Sequence, residues 1–155
     1  MKTATFGTVS HGTLCTEDLL DAFASELEYQ VQRNAEAWCS DEGRQERDKY
    51  MALIGEAREV DPDSDEASEL VNESLPDALH AFAPAYSYFG AHEGDGSDFG
   101  YWPDIDQADF DGLSVADTSE VPADYSGEVL HVNDHGNMTL YAADRGRLTE
   151  VWSIV

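Results

Sequence analysis

The densest run of chemically capable side chains is His92-Glu93-Gly94-Asp95-Gly96-Ser97-Asp98. Oxygen ligands at Glu93, Asp95, Ser97 and Asp98 are of the kind a hard cation such as Ca²⁺ takes. The spacing is not that of an EF-hand loop, which sets acids at alternate positions before a glycine and a distal Glu. The competing reading is a glycine-rich turn whose Asp and Ser side chains bond their own backbone. Asp134-His135, with His131 nearby, is the second place, because a carboxylate beside an imidazole suits acid–base work. Neighbours on a strand point to opposite faces, however, and Asn133-Asp134-His135-Gly136-Asn137 has the composition of a tight turn. A cation-dependent or acid–base enzyme would need His92, Asp95, Asp98 and His135 to converge in space.

Other chemical patterns are weaker. Ser97, Ser126 and Ser153 have no G-x-S-x-G context. Gly94, Gly96 and Gly100 do not lead from a strand into a helix, as a phosphate cradle does. His11 and His80 stand alone, and there is no HExxH, P-loop or CxxC. Cys15 and Cys39 read as reduced, partly buried thiols rather than a disulfide framework or zinc site. The expectation is a protein that is not an enzyme, with no catalytic residues, no metal and no cofactor.

The elements that must position these residues follow from local periodicity. Thr16 reads as an N-cap, with Glu17 and Asp18 favoured by the helix dipole in the first turn. Leu19, Leu20, Phe23, Leu27, Val31, Ala35 and Trp38 then recur every three or four residues, one stripe on a helix of about six turns. Ser40 or Asp41 opens a second helix with Tyr50, Leu53, Ile54 and Ala57 on its apolar face, and Asp61-Pro62 ends it. Ser64-Asp65-Glu66 starts a short helix that buries Ala67, Leu70 and Val71. Leu75 to Phe82 reads as one more, with Pro76 in its first turn.

After Pro84 the period shortens. Tyr86, Tyr88 and Phe89 read as a strand, HEGDGSDFG as a loop, and Leu113 to Ala116 as a short strand. The final stretch, from Glu128, reads as three antiparallel strands turning at His135-Gly136-Asn137 and Arg145-Gly146. The aromatics Tyr86, Tyr88, Phe89, Phe99, Tyr101 and Trp102 suit a core or a protein interface. The expected fold is a single α+β domain over residues 1–155. Helices in residues 16–83 (two long, one or two short) pack on a small C-terminal antiparallel sheet in residues 85–155. No apolar run is long enough to cross a membrane, and the first residues do not read as a secretory signal.

Charge is the unusual quantity. The 155 residues hold 33 Asp plus Glu against 8 Lys plus Arg, a net charge of −25. A small soluble domain usually carries about 2–8 in magnitude. From Glu59 to Asp144 there is no Lys or Arg across 86 residues, and that stretch holds 21 acids. Buried unpaired carboxylates cost several kcal/mol each, so these must face water. The resulting field argues against direct binding to nucleic acid or an anionic membrane, and self-repulsion favours a monomer or small oligomer.

Two readings of the acidity compete with plain solvation. Carboxylates on a rigid scaffold can imitate a nucleic-acid backbone and bind a basic groove on a nucleic-acid-processing protein. The contact set for that role is Asp61, Asp63, Asp65, Glu66, Glu69, Asp95, Asp98, Asp104, Asp106, Asp109 and Asp111. Alternatively, the surface is adapted to high internal salt, which fits a chain with only two Lys.

The segments Tyr86-Ser87-Tyr88-Phe89-Gly90, HEGDGSDFGYWP, VPADYSGEVLHVNDHGNMTLY and EVWSIV stand together in the second half. With TLCTEDLLDAFASELEY and EVDPDSDEASELVNE, this combination resembles a family of small acidic proteins. They are encoded in bacterial genomes, often on phages and other mobile elements. The resemblance covers nearly the whole chain and carries no catalytic residues. It implies a mobile-element setting, and by analogy of composition and setting an anti-defence role as a DNA mimic; the cytoplasmic location expected for the chain comes from its reduced cysteines.

Overall fold

The computed structural model describes residues 2–105 and 109–154. The chain divides into two compact units, Met1–Asp104 and Ile105–Val155. In the first unit a strand, β1 (Gly7–His11), comes before any helix. Then follow α1 (Thr16–Arg33), a 3₁₀ turn at Ala35–Cys39, and α2 (Asp41–Glu59). The next helical run is α3 (Asp65–Glu69), a π-helical segment at Leu70–Ser74 and α4 (Leu75–His80). The hairpin β2 (Ser87–His92) and β3 (Asp95–Pro103) closes the unit, and β1, β3 and β2 form one antiparallel sheet in that order.

The α1 stripe buries Leu19, Leu20, Phe23, Leu27 and Val31 as its period requires. Two details differ. Cys15, not Thr16, is the N-cap, and Thr13 Oγ1 accepts from its N–H while donating to Asp18. The helix also ends at Arg33, because the Asn34 side-chain amide donates to the Gln30 carbonyl that the ladder would otherwise use. Ala35 is therefore exposed on the 3₁₀ turn, while Trp38 folds back so that its indole N–H donates to the Val31 carbonyl at 2.8 Å. Ser40 and Ser64 cap α2 and α3 by accepting from Gly43 N and Ala67 N. Pro76 stands in the first turn of α4, as its position predicts, though that helix ends at His80 and is continuous with the run from α3. The proline lacks the N–H for Asn72 and crowds that carbonyl, and the run from α3 accommodates it by widening into the π segment just before.

The polar stretch at residues 92–100 is not a loop. It turns tightly at Glu93 and Gly94 and continues as β3, with Phe89 opposite Tyr101 and Ala91 opposite Phe99. Pairing with two neighbouring strands outweighs its weak β propensity. Tyr86 lies outside β2 because its φ of 55° turns the chain into the strand. Phe89, Phe99 and Tyr101 meet α1 at Phe23, whose ring sits edge-on to Phe89 at 5.2 Å and to Phe99 at 5.4 Å. Each such buried side chain contributes about 1.5–3 kcal/mol. Phe89 and Tyr101 are core, Phe99 packs against them half-buried, and Tyr88 and Trp102 are also half-buried. A Cβ on Gly100 would run into the Gly7 carbonyl, so the β1–β3 pairing needs glycine there.

The second unit is a four-stranded sheet of β4 (Leu113–Val115), β5 (Gly127–Val132), β6 (Met138–Asp144) and β7 (Arg147–Ile154), in that order. Its last three strands are antiparallel, as the alternation predicts, and β4 runs parallel to β5. One face packs Val115, Val129 and Ala143; Leu130, Leu140 and Trp152 form a buried row on the other. Asn133 Oδ1 accepts from the N–H groups of His135 and Asn137, which makes the Asn133–Asn137 segment a turn.

The fold is α+β. It has two sheets rather than one small C-terminal sheet, and β1 reaches the first of them from before the helices. That strand buries only Ser10, so GTVSH carries no alternating apolar signal of its own.

Candidate functional site

The first unit carries 23 acids against 6 Lys plus Arg, net −17, and the second 10 against 2, net −8. Most of the guanidinium groups in the first unit are occupied on α1 and α2. Arg58 pairs with Glu28 at 2.6 Å, Arg47 with Asp48 at 2.9 Å, and Arg44 with Asp41. The acids of the turn after α2 and of α3 have no such partners among the described residues. Asp61 opens a turn by accepting from Asp63 N, and Ser64 Oγ donates to the Asp61 carbonyl before capping α3. These local bonds hold the turn rigidly, so Asp61, Asp63, Asp65, Glu66 and Glu69 are displayed to solvent on a fixed backbone. None of the five pairs with Lys or Arg among the described residues.

Two acids outside the expected set join them. Glu56 and Glu59, with Glu66, line a groove of about 560 Å³ whose remaining lining is Ala52, Gly55 and Val60. Their three-residue spacing on α2 is the signal that could have marked them, because it sets both on one helix face. Of the other expected contacts, Asp95, Asp98 and Asp104 lie on or just after β3 in the first unit, and Asp109 and Asp111 belong to the second. Asp106 lies outside the described residues.

The β2–β3 hairpin holds the remaining chemistry. Asp95 Oδ1 accepts from Ser97 N at 2.9 Å and from Ser97 Oγ at 2.8 Å. Its Oδ2 lies 3.3 Å from His11 Nε2. The Ser97 bonds first, and His11 second, hold the Asp95 carboxyl below the ordinary carboxylate range. His92 Nδ1 accepts from Gly94 N, and its ring sits edge-on to Trp102 at 4.8 Å. One carboxylate oxygen of half-buried Asp98 has no hydrogen-bond partner among the described residues.

His11 therefore belongs with the loop chemistry, although in sequence it stands alone. A carboxylate-oriented imidazole is one part of an acid–base unit. The hydroxyl nearby, on Ser97, is bonded to the carboxylate and not to the imidazole, so no nucleophile is activated. His135 belongs to the second unit. Among the described residues, no three His, Cys, Asp or Glu side chains come together in a way that could hold a metal ion. Cys15 and Cys39 are free and exposed, not partly buried, because one caps α1 and the other ends the 3₁₀ turn.

No protein-family model, curated protein or solved structure matches this chain. Its own residues present a rigid acidic surface in the first unit, from the end of α2 through α3, and beside it an acid-rimmed groove with an apolar floor. No helix among the described residues is long and apolar enough to cross a membrane.

Proposed function

We propose that this is a non-enzymatic, cytoplasmic acidic protein that binds a basic surface of a nucleic-acid-processing protein and competes there with DNA or RNA. The observation that carries the reading is the run of fixed, exposed, unpaired carboxylates from Asp61 to Glu69 in a unit of net charge −17. Duplex DNA presents one charge per about 1.7 Å of axis, and a basic groove built for it accepts carboxylates held at comparable density. Association is steered by the field and is fast and salt-sensitive. The resemblance to acidic proteins of mobile elements supports an anti-defence setting by analogy.

The test reverses four acids at once: Asp61→Lys, Asp63→Lys, Asp65→Lys and Glu69→Lys. The wild-type chain captures nucleic-acid-binding proteins from a bacterial lysate and releases them to duplex DNA. The reversed variant melts normally and captures none of them. Equal capture by both would remove the reading. A salt-adapted surface is the second reading, favoured by the scarcity of lysine. It predicts a chain that is unfolded at low salt and folds only in molar KCl.

A further inference from the structure

The strongest surface feature beyond the acidic run is the outer side of α2, where two unlike grooves adjoin. At its middle, Val31, Ala35 and Trp38 face Met51 across a groove of about 500 Å³. The Trp38 indole N–H is already bonded to the Val31 carbonyl, and its ring is edge-on to Tyr50 at 6.1 Å. That wall is therefore fixed and needs no water. Met51 is 43% exposed, and its flexible thioether can fit itself to a guest. Arg47 borders the groove, but its guanidinium is paired to Asp48 and offers a basic partner no free positive charge. Ala52, next to Met51, and Gly55, one turn on, keep the helix surface low, and Glu56, Glu59 and Glu66 rim the second groove.

We infer that this side of α2 docks an amphipathic basic helix of the partner. An apolar side chain of that helix enters the Trp38–Met51 groove, and its Lys or Arg residues meet Glu56, Glu59 and Glu66. The inference rests on the proposed function above and adds where and how the partner binds. Charge complementarity selects the occupant. The rim carboxylates have no Lys or Arg partner among the described residues, whereas a second copy of this chain would bring another net −25. The apolar floor of Ala52, Gly55 and Val60 suits the aliphatic stems of Lys and Arg, whose charged heads then reach the rim. Met51 and Glu59 are separated by about 12 Å along the helix, at 1.5 Å per residue. A partner helix with an apolar anchor and cations about two turns away spans that distance. The acidic field sets the rate of encounter, while the anchored side chain sets the lifetime of the complex.

The probe is a synthetic Leu/Lys amphipathic helix, compared with a scrambled peptide of identical composition that has no apolar face. Both are titrated into the full, isotopically labelled chain at low ionic strength. The expected result is amide shifts concentrated at Ala52, Gly55 and Val60 and at the Trp38 indole, for the amphipathic peptide only. Met51→Asp weakens binding about tenfold, as loss of an anchor does, and Met51→Ala serves if the first variant melts early. Equal binding of both peptides overturns the groove, as do shifts confined to Asp61–Glu69 with the Trp38 indole silent. Either result leaves the acidic-surface reading standing. Failure of both peptides to bind overturns both proposals.

Discussion

The imidazole of His11 lies 3.3 Å from the carboxylate of Asp95, tying the end of β1 to the start of β3. Beside it, Gly12 N donates to the Ser97 carbonyl at 3.0 Å, so the hairpin tip is fastened by backbone and side chain together. Because the Asp95 carboxyl is held low in the folded state, its contribution to stability is present above the ordinary carboxylate range. It is lost as pH falls through the folded value. Carboxyl NMR titration should place Asp95 below that range. Ser97→Ala removes the hydroxyl bond but keeps the backbone N–H bond, the larger cause, so it should raise the Asp95 carboxyl only part of the way back. A full return to the ordinary range in that variant would show that the backbone bond contributes nothing.

Tyr101 is 1% exposed, and its hydroxyl has no hydrogen-bond partner among the described residues. Burial pushes its phenol up, and the nearby Glu26 carboxylate adds to the effect. An unmade hydrogen bond in the core costs about 1–3 kcal/mol, and removing the group removes that cost. Tyr101→Phe is expected to leave the melting temperature unchanged or to raise it. A clear drop would mean that the hydroxyl has a partner, such as an ordered water.

Tyr50 is pushed up to about 12, by burial first and then by Glu46, whose carboxylate accepts its hydroxyl at 3.2 Å. A raised phenol stabilises the fold fully below its unfolded value near 10 and loses that contribution as pH rises toward the folded value. Denaturant midpoints measured across the alkaline range should therefore fall between those two values. Tyr50→Phe should flatten the fall. An unchanged slope in the variant would assign the alkaline loss to other groups.

Gly100→Ala places a Cβ against the Gly7 carbonyl. Neither strand can yield without breaking the pairing that seats Tyr101 in the core, so a loss of about 1–3 kcal/mol is expected. Chemical denaturation measures it. Gly96→Ala is the control, since a Cβ there meets nothing within 4 Å and should change little.

Much of the chain was determined by its own short-range pattern. The α1 stripe from Leu19 to Val31, the Ser40 and Ser64 caps, and the Asn133–Asn137 turn each depend on residues within a few positions. Their bonds and side-chain faces follow from helix period and turn chemistry, which a local reading contains. Display of Asp61 through Glu69 was legible for the same reason: unpaired carboxylates have nowhere to go but water.

Tertiary structure decided what depends on distant partners. GTVSH becomes a strand only because β3 offers it an edge, and HEGDGSDFG becomes a hairpin only because β1 and β2 flank it. His11 joins Asp95 through that same pairing, which no sequence spacing announces. The Trp38–Met51 groove exists because Asn34 ends α1 and lets the indole fold back on Val31. Such contacts form between residues far apart in the chain, and the favourable pairing is visible only once both strands, or both helices, are in place.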